Sequence, residues 1–206
     1  MDTAALDGVI KYSSERVAGA LPPCARLAEL NQLRTELFDL GLIGVYPDGV
    51  GYGNLSIRTA GDQFLITGSA TGAQRVLHAD DYCLVEWFSM TENRVRARGS
   101  LDASSESMTH GAIYANQALV QCVAHIHSRR LFDALLHQAS VPSTDARIAY
   151  GTPEMAYAVA QLVQEAKVLP LLFVMAGHDE GLVACGTDIA SVRALLLDTF
   201  GKTLEP

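Results

Sequence analysis

The sequence predicts an α/β fold in which a largely antiparallel central sheet is covered by helices. Two observations lead there. Strand-like segments with alternating polarity follow one another across short turns at residues 54–67 and 81–98. Segments with apolar residues at helical spacing lie before and after them, so the strands are not joined by helices as in a doubly wound parallel sheet.

Taken in order, two helices are predicted to open the chain, separated by Pro22-Pro23. The second spans residues 25–40, with Leu27, Leu30, Leu33, Leu37 and Leu40 on one face and Gly41 as its stop. A glycine-rich stretch, GVYPDGVGYG, leads into a hairpin where Leu55 and Ile57 alternate with Ser56 and Arg58. Residues 59–62 turn and residues 63–67 return. Residues 81–88 and 94–98 read as two further strands. A helix follows over 105–118 and a strand over 120–127. Residues 153–166 form a helix with Pro153 in its first turn, where the missing N–H costs nothing. Residues 171–175 and 181–185 give a last strand pair, and 188–200 a closing helix.

The length of 206 residues suits one domain over 1–206. A hydrophobic fraction of 49% with 18% charged residues describes an ordinary globular core and excludes disorder. Mean hydropathy of +0.17 hints weakly at buried subunit surface. With a net charge of -8 and no basic block, nucleic acid is an unsuitable partner, because phosphate neutralisation supplies most of that affinity. Arg129-Arg130 and the set Arg94, Arg96, Arg98 read as solvated surface. The four cysteines form no CxxC pair, and three lie in apolar stretches, which favours a reducing compartment. The N-terminus has neither the basic start nor the apolar run of a signal peptide, and no stretch has the length of a membrane span. The expected location is the cytoplasm, with no membrane partner.

Three short signals carry chemistry. In His125-Ile126-His127 on a strand, the two-residue period aims both imidazoles from one face, where they can chelate one ion. Ser104-Ser105-Glu106 stands at a helix start, a place that suits a capping serine, an anion and a carboxylate. His178 sits in Gly177–Gly181 (GHDEG), at the end of an apolar run. Each alone also fits a hydrogen-bonding histidine, a simple cap or a plain turn. Together they describe a three-histidine metal site with an open position and a carboxylate as general base. His110, four residues after Glu106, shares its helix face and is a candidate to hold it. His78 and His137 read as surface residues. The spacing G-x-G-x-G in GVGYG, among hairpin-like strands, does not fit a dinucleotide-binding turn.

The motifs GYGNLSIR, FLIT…TG, SSE, AHIH, YGTPEM and GHDEGLVACG occur in this order over nearly the whole chain. In that order the sequence resembles the class II aldolase/adducin family, which includes sugar-phosphate aldolases, epimerases and dehydratases. The resemblance implies a three-layer fold, with a nine-stranded antiparallel sheet between helix layers. It implies a homotetramer with sites near subunit interfaces. It further implies one Zn2+ or other divalent transition metal per chain on His125, His127 and His178, with Glu106 as catalytic acid/base. A sugar-phosphate substrate would be held by Gly53, Asn54, Thr71, Gly72, Ser104 and Ser105.

Two departures from the family pattern leave alternatives. Residues 68–70 are extra, so Thr67-Gly68 compete with Thr71-Gly72. Asp179-Glu180 separate His178 from the glycine that usually follows it, so Glu180 competes as third ligand. The expected activity is aldolase-type carbon–carbon cleavage through a metal-stabilised enediolate. Epimerase or dehydratase chemistry on the same site, a metallohydrolase and a non-catalytic adducin-like module are the rivals. Arg58 is the one basic residue within these motifs, which leaves a non-phosphorylated substrate open. The tail at residues 203–206 carries no tyrosine, so the acid that protonates the leaving group is unassigned.

Overall fold

A computed structural model describes residues 9–204. Its main sheet has eight strands among the described residues, in the order β1-β7-β6-β5-β4-β8-β10-β9. These are β1 (Ser13–Val17), β4 (Asn54–Ala60), β5 (Gln63–Thr67), β6 (Tyr82–Ser89), β7 (Arg94–Gly99), β8 (Cys122–His127), β9 (Leu171–Val174) and β10 (Gly181–Gly186). Every neighbouring pair is antiparallel except β1 with β7. The predicted class, α/β with a largely antiparallel sheet, is therefore the observed one.

Alternation along the strands builds two cores. On one face Val123, Val183, Phe64 and Val85 pack under α2 (Ser107–Asn116) and α4 (Pro153–Glu165). On the other, Cys122, Ala124, Ile126, Leu55 and Leu182 pack under α1 (Leu27–Asp39), α3 (Arg129–Leu135) and α5 (Ile189–Leu204). Helices thus cover both faces. Cys83, Cys122 and Cys185 are buried with free thiols, and burial pushes the Cys83 thiol up to about 11. No described helix is long and apolar enough to cross a membrane.

Three elements depart from expectation. Of the two predicted opening helices, the described residues contain the second, Leu27–Asp39; the first falls partly on residues 1–8, outside the described residues, and Ser13–Val17 is a strand. Its pairing with β7 sets Glu15 within ion-pair reach of Arg94 and Arg96, a tertiary preference that local propensity does not express. The glycine-rich stretch adds no ninth strand. It folds into a separate ladder of β2 (Gly44–Val45) and β3 (Gly51–Tyr52), and the chain bends into β4 at Gly53, with φ +76°. A Cβ there would meet Ile43 Cγ1 at 2.7 Å, so only glycine fits. Finally α3 was not foreseen; its start is capped by Ser128 Oγ, which accepts from Leu131 N at 3.3 Å.

Arg58 proves to be structural. Its buried guanidinium donates to the carbonyls of Val120 (2.8 Å), Tyr114 (2.7 Å) and Gln117 (3.0 Å), tying β4 to the end of α2. Replacing it by methionine removes these donors together. Arg58→Met should destabilise the fold by about 3 kcal/mol, read as a lower urea midpoint at unchanged slope. An unchanged midpoint would contradict this role.

Candidate metal centre

Strand β8 alternates Cys122, Ala124 and Ile126 into one core and Val123, His125 and His127 to the other side. His125 pairs across the ladder with Asn54 and Val183, and His127 with Gly181. The third histidine comes from the β9–β10 connection. Two successive turns shape it, His178 N donating to Met175 O and Gly181 N to His178 O, both at 2.8 Å. Gly177 makes this path possible, since a Cβ there would lie 1.8 Å from Ile148 O. The extra pair Asp179-Glu180 is thereby absorbed in the second turn, with Glu180 at φ +63°.

The result is a cluster of His125, His127 and His178 whose candidate ligand atoms all lie within 4.8 Å of one another. The three residues are 1, 2 and 3% exposed. Burial first, and then the neighbouring imidazoles, holds His125 well below the usual imidazole range. It is therefore neutral at neutral pH, the form that ligates a metal. Glu106, just before α2, is 2% exposed and places Oε1 3.9 Å from His178 Nδ1. Its Oε2 accepts from Thr109 Oγ1 at 2.7 Å. Nε2 of His125 and Oε1 of Glu106 are buried with no hydrogen-bond partner. Such groups are costly unless something satisfies them, and a divalent cation beside three imidazoles does so. The donor set fits Zn2+ or a similar borderline ion.

A cavity of about 570 Å³ opens beside this cluster, within the range of small-molecule sites. Its wall includes Gly53, Asn54, Thr71, Gly72, Ser104, Ser105, Glu106 and His125. Of the three histidines His125 is in the wall, and the candidate ligand atoms of His127 and His178 lie within 4.8 Å of its own. Thr67 and Gly68 also reach the wall, so both candidate Thr-Gly pairs do. Thr67 Oγ1 accepts from Leu55 N (3.3 Å), and Thr71 Oγ1 donates to Gly68 O (2.8 Å). No lysine or arginine is among the described wall residues. Ser104 Oγ accepts from the N–H of Glu106 itself, at 3.4 Å, rather than capping a later helical N–H.

A sequence model of the class II aldolase and adducin N-terminal domain matches residues 48–198. The chain belongs to the class II aldolase/adducin family. By sequence alone, no curated protein matches it. Solved structures share the fold. An L-fuculose-1-phosphate aldolase from Thermus thermophilus is 24% identical with a TM-score of 0.57, covering 89% of this chain and 99% of that one. Another L-fuculose 1-phosphate aldolase is 18% identical with a TM-score of 0.64, covering 88% of this chain and 84% of its own. A sugar-phosphate aldolase from Thermotoga maritima is 16% identical at 0.59, with 85% and 92% covered.

Within this class II aldolase domain, several residues around the cluster were not foreseen. Thr109, not His110, holds Glu106. Tyr150, within the YGTPEM motif, stacks on His178 with ring centroids 4.2 Å apart, and Lys11 Nζ lies 3.4 Å from the Tyr150 centroid. Tyr46 reaches His127, and Glu180 faces Tyr46 rather than the cluster. Tyr46 and Thr109 carry no chemical signature in the sequence, and YGTPEM marked Tyr150 without a role, so the fold reveals what these residues touch.

His110 is fully buried, with Nδ1 2.6 Å from Ser56 Oγ, and burial pushes its imidazole from 6.5 down to about 3. Between those values the unfolded chain binds a proton that the folded chain refuses. The stability this provides is complete above pH 6.5 and falls as pH drops toward 3, by roughly 1 kcal/mol per unit. In urea titrations from pH 7 to 5, His110→Gln should lose about one proton's worth of this slope relative to wild type. Equal slopes would contradict it.

Proposed function

We propose that this chain is a divalent-metal-dependent lyase of the class II aldolase type, cleaving a carbon–carbon bond in a sugar phosphate or related hydroxy-ketone. The observation that carries this reading is the buried convergence of His125, His127 and His178 with the Glu106 carboxylate at the wall of a small-molecule cavity. In this reading His125, His127 and His178 hold one Zn2+ or similar ion. When bound, the ion supplies Lewis acidity toward carbonyl and neighbouring hydroxyl oxygens of the substrate.

The chain's own residues do the rest. Glu106 moves the proton at Oε1, while Thr109 pins Oε2 and so fixes the carboxylate's orientation. Ser104 and Ser105, with the Gly53-Asn54 and Thr71-Gly72 backbones, present hydroxyl and N–H donors to an anionic group at the other part of the cavity. Arg58, spent on backbone carbonyls, takes no part. A buried carboxylate and three buried imidazoles are costly to fold around, which favours an enzyme over a non-catalytic module. A homotetramer is the proposed assembly; exposed Trp87, Leu119, Tyr157 and Val168 are apolar surface that subunit contacts would cover.

Proton exchange tests this reading without knowledge of the aldehyde partner. The zinc-loaded protein should catalyse deuterium exchange from solvent into a carbon-bound position of dihydroxyacetone phosphate. Glu106→Gln should slow it by about 100-fold or more while metal content stays at the wild-type level. Exchange that is indifferent to Glu106, or lost only together with the metal, would overturn the assignment of Glu106.

A further inference from the structure

A histidine that ligates a metal needs its other ring nitrogen held by a fixed acceptor, which sets both tautomer and ring orientation. His127 has such a contact, and it continues outward. Its Nδ1 lies 2.9 Å from Tyr46 Oη, and Tyr46 Oη lies 2.7 Å from Glu180 Oε2. A carboxylate only accepts, so the Tyr46 hydroxyl donates to Glu180. Its oxygen is then left to accept the Nδ1–H of His127, and Nε2 becomes the lone-pair nitrogen of the ring.

The far end of this chain is anchored twice. Glu180 Oε1 accepts from Arg129 Nε at 3.3 Å, and Arg129 also pairs with Asp179 and, at 3.5 Å, with Asp133. The backbone carbonyl of Glu180 accepts from Ser128 N at 3.0 Å, directly beside His127. Glu180 keeps a left-handed backbone, φ +63°, that a non-glycine residue adopts at a cost. A residue held through its side chain by Tyr46 and Arg129, and through its carbonyl by the Ser128 amide, is over-determined in its place.

We propose that Tyr46 and Glu180 form an outer relay that fixes the tautomer and aim of His127, so that Glu180 is a positioning residue of the metal centre and not one of its ligands. The proposal rests on the three-histidine reading of the site. It gives the extra Asp179-Glu180 pair a purpose: the pair forms the turn that follows His178, and Glu180 supports His127 from behind through Tyr46.

The test uses Co2+ as the probe on the full chain, reading affinity by chelator competition and geometry from the visible ligand-field bands. Unfolding midpoints of the metal-free proteins are measured alongside. Wild type should bind one Co2+ and His178→Ala should not. Tyr46→Phe and Glu180→Ala should each bind about 10- to 100-fold more weakly with altered bands, and by similar factors because they break the same relay. Glu180→Gln, which still accepts from Tyr46, should recover most of the affinity, and metal-free midpoints should move little among the variants. Wild-type affinity and bands in both Tyr46→Phe and Glu180→Ala would overturn the relay while leaving the metal site intact. Loss of all binding in Glu180→Ala, with Tyr46→Phe unaffected, would make Glu180 a ligand and overturn it differently. Failure of the wild type itself to bind Co2+, or undiminished binding by His178→Ala, would instead remove the three-histidine site beneath it.

Discussion

Three imidazoles and a carboxylate lie in one buried cluster, where water cannot solvate them, and this constraint shapes everything nearby. The candidate ligand atoms of the three histidines lie within 4.8 Å of one another, and Glu106 Oε1 lies 3.9 Å from His178 Nδ1. Burial and the neighbouring imidazoles keep His125 neutral, and its buried Nε2 needs a partner. A divalent ion meets that need better than solvent can. The sheet supplies the geometry cheaply: the two-residue period of β8 aims His125 and His127 together, while the residues between them fill the opposite core.

Keeping such a cluster rigid calls for support from elements distant in sequence. Asn54 on β4 approaches His125 Nδ1 at 3.4 Å, Tyr150 stacks on His178, and Tyr46 holds His127. Thr109 on α2 fixes the carboxylate. Two glycines make room at the backbone level, Gly53 where β4 begins and Gly177 where the β9–β10 loop passes Ile148. The non-glycine residues at positive φ include Ala70, in the cavity wall, and Glu180, beside the cluster. Strain of this kind persists where surrounding contacts over-determine it, and it concentrates at functional sites.

What could be read from the sequence was what repeats with a period or carries a chemical signature. The β4–β5 hairpin, β6, β7 and β8 announced themselves by alternation, and α1 and α4 by helical spacing with Gly41 and Pro153 as punctuation. The histidine pair, His178 and Glu106 were visible as chemistry-bearing side chains at element ends, and the fold brings these four together. The strand β1 was not legible, because Ser13–Val17 is stabilised by ladder pairing with β7 and by charges 79 residues away. The role of Arg58 was hidden for a similar reason: its partners are backbone carbonyls, which have no sequence identity. Whether Glu180 or His178 turns inward depended on turn geometry, since two residues of loop can present either side chain.

The central claim is that His125, His127 and His178, and no fourth protein carboxylate in place of one of them, hold the ion. X-ray absorption at the zinc edge of the zinc-loaded protein reads this directly. Three imidazole nitrogens at about 2.0–2.1 Å, with the outer-ring scattering pattern of imidazole from each, are the predicted result. A shell with two imidazoles and a carboxylate, or zinc bound with no imidazole signature, would contradict it.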